Sequence, residues 1–195
     1  MQDGITRKDS ITQSAMEIIN EIGIEGFSIR ELAKRQGITE AAIYRHYESK
    51  QEILLSIIAI FRSFVTDEIQ RIERENLTPV EGIQHFIKSH TTLFEKNHSI
   101  ASIVLSEEIF RNDSIVTTQM REIFYLRTDY ITRLIEKAQK RGKLSRFFSA
   151  QELTDVILGL LRRLTTRWRM SGYDFPLEES VLKILEKVLT GPAAV

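Results

Sequence analysis

Within the stretch SIRELAKRQGITEAAIYRHYESKQE, residues 28 to 52, lie the side chains needed to read a DNA duplex. Tyr44 and Arg45 are adjacent, Ala41 and Ala42 precede them, and His46 and Lys50 follow. An arginine can fork onto guanine, tyrosine hydroxyls and histidine rings can bind phosphate, and small residues let the backbone approach the bases. Lys50 and the N–H groups after Ser49 add a phosphate site at a helix start. Catalytic chemistry is poorly represented. The chain has no cysteine, which removes thiolate nucleophiles and Cys-based zinc sites. Glu95 to His98, EKNH, has the Glu-x-x-His spacing of a carboxylate di-iron bundle, but such a site needs two copies and the sequence holds one. No catalytic residue, metal ligand or cofactor is expected.

Three closely spaced helix starts must position these groups. Ser28 is an N-cap with Glu31 three residues on, and Phe27 and Leu32 form a hydrophobic staple around it. Thr39 is a second N-cap, stapled by Ile38 and Ile43, and Ser49 with Glu52 reads as a further capping box. Gly37 supplies the positive φ of a tight turn, and Ala33 is small where a second helix must cross. This is helix-turn-helix spacing. With Ile43 toward the core, a helical wheel places Glu40 and Tyr47 on the flanks and leaves Ala41, Ala42, Tyr44 and Arg45 outward.

The remainder reads as helix. The 195 residues are 42% hydrophobic and hold only three prolines, so the fold class is all-α with a sizeable core. The periodicity predicts a helix over 6–23, a long one after Ser49 carrying Ile53, Ile57, Phe61, Phe64 and Val65, and others near 79–96, 99–111, 114–141, 149–171 and 177–190. Net charge is zero, with 27 bases against 27 acids, and residues 1–50 hold seven bases against eight acids. Affinity for DNA must therefore come from where the charges sit. No apolar signal core or membrane span is seen, so the expected location is cytoplasmic.

Phe27, Ser28, Ile29, Ala33, Gly37, Ile38, Thr39, Tyr44, His46, Tyr47, Lys50 and Leu54 together resemble the N-terminal signature of the tetracycline-repressor (TetR) family of bacterial regulators. The resemblance covers about residues 8 to 60, with Ala41 and Ala42 where Gly-Thr is frequent and Tyr47 where Phe is commoner. It implies a three-helix DNA-binding head over residues 1–50, contacting DNA through Ser28, Thr39, Ala41, Ala42, Tyr44, Arg45, His46 and Lys50. Residues 51–195 would then be a helical regulatory body. It further implies a homodimer that binds a palindromic double-stranded operator, acts as a repressor, and is closed by a four-helix interface using Val156, Gly159, Leu160, Leu164, Leu182 and Leu185. Between the body's helices Phe86, His90, Phe94, Phe110, Phe124, Arg127 and Trp168 are the candidates for binding a small apolar or amphipathic effector, with Glu107 a further candidate for its polar end. From the residues alone, a metal-dependent helical enzyme and a protein-binding adaptor stay open as alternatives.

Overall fold

Most helices of the computed structural model whose starts are described begin at a side-chain cap that the sequence offers. The structure describes residues 6–106 and 114–191. Among them are α1 (Arg7–Gly26), α2 (Ile29–Gln36), α3 (Glu40–Tyr44), α4 (Lys50–Arg74), α5 (Pro79–Lys96), α6 (His98–Val104), α7 (Ser114–Lys140), α8 (Ala150–Met170) and α9 (Leu177–Thr190). Thr6 with Asp9, Thr78 with Glu81 and Ser149 with Glu152 form complete capping boxes on α1, α5 and α8. The all-α reading holds. Two boundaries differ from expectation. α1 continues past Gly23, which bends it at φ 77°, a conformation open to glycine. The helix expected over 99–111 is present as His98–Val104, and residues 107–113 lie outside the described set.

By their contacts the residues form two units, Met1–Ser63 with His98–Glu122, and Phe64–Asn97 with Ile123–Val195. α4 and α7 contribute to both. In the first unit α1 packs on α2 and α6, and Ile11, Ala15, Ile18, Leu32, Ile43, Ile53 and Ala101 are fully or almost fully buried. The Ser102 hydroxyl on α6 donates to the Asn20 side-chain oxygen on α1. Arg62 on α4 reaches Gln119 at 3.1 Å and Glu122 at 2.5 Å on α7.

In the second unit α5 packs on α8 and α9, which also pack on each other. α5 approaches α4 and α7 at Gly82, where a Cβ would stand 3.0 Å from Ile72 Cγ2 and 3.2 Å from Leu134 Cδ1. Pro176, at the N-cap of α9, offers no side-chain cap. Glu95 of α5 replaces it, its Oε1 accepting from the Leu177 N–H at 2.7 Å and the Glu178 N–H at 3.1 Å. A carboxylate there also meets the positive end of the helix dipole. Thus the acid of the Glu-x-x-His pair caps a neighbouring helix.

Candidate nucleic-acid interface and effector core

The helix-turn-helix is built by local hydrogen bonds. Ser28 Oγ accepts from the Glu31 N–H at 3.1 Å, and Thr39 Oγ1 from the Ala42 N–H at 3.2 Å. Between them Gly37 sits at φ 64°, ψ 32°, and its N–H and that of Ile38 return to the carbonyls of Lys34 and Ala33 at 3.2 and 3.0 Å. These bonds satisfy the free carbonyls of α2 and aim the chain into α3. Gln36 Nε2 fastens the end of α2 to α1, donating to Ser10 O at 3.1 Å and Ser14 Oγ at 2.7 Å.

On α3 the outward set is as expected: Ala41, Tyr44 and Arg45 are exposed, Ala42 is half-buried, and Ile43 is fully buried. Ser28 and Thr39 are exposed and His46 is half-buried. Tyr47 departs from the wheel and is almost fully buried, its hydroxyl in hydrogen-bond contact with Thr12 Oγ1 of α1 and 3.3 Å from Ser56 Oγ of α4. The cause is that α3 ends at Tyr44, so helical spacing no longer governs residue 47. Tyr47 anchors the end of α3 to two neighbours.

Lys50 also differs from expectation. Its ammonium donates to Phe27 O at 2.6 Å and Ile24 O at 3.1 Å, beside the Phe27 ring, and burial lowers its pKa. At most one of its three N–H bonds is left for a phosphate. Its main structural role is to pin the α1–α2 turn. The Ser49–Glu52 box is likewise half formed: Ser49 Oγ accepts from the Glu52 N–H at 3.1 Å, while the Glu52 carboxylate takes the Glu48 N–H at 2.6 Å.

Two of the head's seven bases are held in ion pairs. Arg35 is held by Glu21 through two bonds of 3.0 and 2.5 Å, and Lys8 lies 3.4 Å from Glu52. The other head bases besides Lys50 are Arg7, Arg30, Lys34 and Arg45, and none of these forms an ion pair among the described residues.

In the second unit, five rings form a column. His90 is fully buried, with ring centres of Phe86, Phe64 and Phe94 at 4.3, 5.0 and 6.3 Å, and Tyr130 follows at 5.9 Å from Phe86. His90 Nδ1 lies 2.7 Å from Phe86 O, so this nitrogen carries the hydrogen and donates. Burial above all, and then the charge of Arg127, hold the His90 pKa well below 6.5. Burial also lowers the Arg127 guanidinium to about 10, although the residue as a whole is half-buried.

Phe86, His90, Phe94 and Arg127 are therefore brought into one neighbourhood. Phe124 is not: it is 54% exposed and stacks edge-on with exposed Tyr125. Trp168 is buried, but the ring packed on it is Tyr173 at 4.7 Å. Phe110 and Glu107 lie outside the described residues. Phe64 was read from the sequence as helix stripe; it lines an open cavity of about 430 Å³ with Leu93, His85 and Glu68 while its ring touches His90. Helical spacing from Phe61 was its only signal, and that does not separate a cavity wall from core.

The expected dimer residues divide. Val156, Gly159, Leu160 and Leu182 are exposed or half-buried, and a Cβ on Gly159 would meet nothing within 4 Å. Leu164 and Leu185 are 5% and 1% exposed, so they belong to the chain's own core and offer no surface to a partner.

Residues 11–57 match the family model described as bacterial regulatory proteins, tetR family, and residues 60–191 match that of the YsiA-like protein C-terminal region. The chain belongs to the TetR family. Members are DNA-binding transcriptional regulators, which are not enzymes. The fatty acid metabolism regulator protein of Bacillus subtilis is 23% identical over 184 residues, 93% of each chain. The crystal structure of FadR from Bacillus subtilis in complex with stearoyl-CoA matches with a TM-score of 0.75 and 21% identity, over 94% of this chain and 98% of that one. The ketosteroid regulator KstR2 of Mycobacterium tuberculosis matches with a TM-score of 0.84 and 17% identity, over 95% and 94%. Among this TetR-family chain's described residues no helix is long and apolar enough to cross a membrane.

Proposed function

We propose that the protein is a homodimeric repressor that binds a two-fold symmetric operator through α3 and is released by an amphipathic effector with a fatty-acyl or similarly apolar body. The observation that carries the DNA reading is the frame around α3, in which buried Ile43 and Tyr47 hold a five-residue helix so that Ala41, Tyr44 and Arg45 face outward. A head this short reads few bases, and pairing two heads across a dimer supplies the missing specificity. The effector reading is supported by the aromatic column beside Arg127 and by the Bacillus subtilis structure, which holds stearoyl-CoA. Its seat would be the residues Phe86, His90, Phe94 and Arg127. Catalysis is not part of this reading, and a DNA-bound regulator of this kind would work in the cytoplasm.

Release requires that the effector favour one arrangement of the chain over another. One residue, Asn97, joins α5 to α6. α6 is in turn tied to α1 of the head by Ser102 and Asn20.

Selection from random duplexes will enrich sites with two-fold symmetry. Arg45→Ala should cost about 1–3 kcal/mol at one base pair of each half-site and leave other positions unchanged. Equal loss on every operator variant would show that Arg45 contacts phosphate instead. For the effector, fatty acids and acyl thioesters should raise the thermal midpoint and release DNA, because burying an acyl chain among aromatic side chains gains roughly 25 cal/mol per Å². If polar metabolites alone do both, the apolar effector is wrong while the regulator assignment stands.

A further inference from the structure

The second unit contains another concavity, where the end of α4 and the turn after it face the later half of α7. Its volume is about 400 Å³, within the range of small-molecule sites. Ile72 and Leu134 form an apolar floor, held in place by the close approach of α5 at Gly82. Arg133, Lys137 and Arg141 form the rim, and Glu73 is the single acid among the lining residues. Arg133 and Lys137 share one side of α7 and Arg141 follows at its end, its N–H on Lys137 O at 3.2 Å, so at 1.5 Å per residue the three span about 12 Å. None of the three is in an ion pair among the described residues. From Lys137 to Ser149 the chain adds Lys140, Lys143 and Arg146 and no acid.

We propose that this cleft binds a nucleoside polyphosphate group, its adjacent phosphates on Arg133, Lys137 and Arg141 and its flat base against the apolar floor. A lone carboxylate is too short to reach three bases spread over about 12 Å, whereas successive phosphates can meet each of them. The Tyr130 phenol, raised to about 12 by burial and then by Glu73, stays protonated at neutral pH and is available as a donor to a phosphate oxygen. Two sources present this chemistry, a free nucleotide and the nucleotide end of a coenzyme thioester. The inference does not depend on the acyl reading, because no acyl chain enters the argument.

Titration calorimetry of the full chain with ADP, coenzyme A, AMP and palmitate tests it. ADP or coenzyme A should bind, AMP at least about tenfold more weakly, and binding should weaken as salt is raised. The double variant Arg133→Gln, Lys137→Gln should lower affinity for the bound ligand about tenfold or more while palmitate binding is unchanged. All three bases are exposed, so folding is preserved, and circular dichroism will check this. Binding of ADP and coenzyme A alike assigns the site to any nucleotide, and binding of coenzyme A without ADP assigns it to the coenzyme. The inference is overturned if neither binds at millimolar concentration, if AMP binds as well as ADP, or if the double variant loses no more affinity than Lys187→Gln on α9, outside the cleft.

Discussion

Leu164→Glu will unfold the second unit, whereas Leu160→Glu, about one helical turn away, will leave a folded monomer that no longer holds its operator. Leu164 is 5% exposed inside the protomer, so the introduced carboxylate would be buried without a partner, at a cost of about 3–5 kcal/mol. That is a large part of the stability of an ordinary domain. Leu160 is half-buried, on the side of α8 that also carries exposed Val156 and Gly159. In the isolated chain a glutamate there meets water, and only a partner's approach would desolvate it. Light scattering and circular dichroism will separate the two results. A Leu160→Glu variant that stays dimeric removes this side of α8 from the interface.

Stability will fall on mild acidification, and His90 will account for most of the fall between pH 6.5 and 5. The folded chain holds the ring neutral, buried and beside Arg127, while the unfolded chain lets it protonate near its ordinary 6.5. Below that value the unfolded chain binds more protons. The His90 contribution is therefore complete above pH 6.5 and declines as pH falls, by about 1.4 kcal/mol per unit for one proton, until the folded ring itself takes one up. Lower down, the capping carboxylates Asp9, Glu81 and Glu152, whose pKa values are lowered by their hydrogen bonds, add their own loss. Urea unfolding of wild type and His90→Phe across pH 5 to 8 will test this. An undiminished slope in the variant would place the titration elsewhere.

Helix starts were legible because caps act within four residues of sequence. Ser28, Thr39 and Ser49 each accept the expected N–H. What the sequence withheld depends on partners far along the chain. The apolar residues of α8 cover more than one side, so periodicity could not tell Leu164, facing its own core, from Leu160. Lys50 looked free because the carbonyls that take its protons, at residues 24 and 27, lie across a turn that no local rule places. Tyr47 was misplaced because the wheel was carried past the true end of α3. For Phe124 spacing was silent, since an aromatic on α7 fits solvent or core equally well until its neighbours are known.

The cap that Glu95 lends to α9 sets an order of events. α9 has 14 residues, close to the length at which an isolated helix is marginal in water, and its own Pro176 supplies no side-chain cap. Its first turn is secured after α5 has formed and come alongside, so α9 is a late and dependent element of assembly. Native-state hydrogen exchange should show this dependence: Glu95→Ala would speed exchange of the amides at Leu177 and Glu178 first, loosening α9 from its start while α5 keeps its protection.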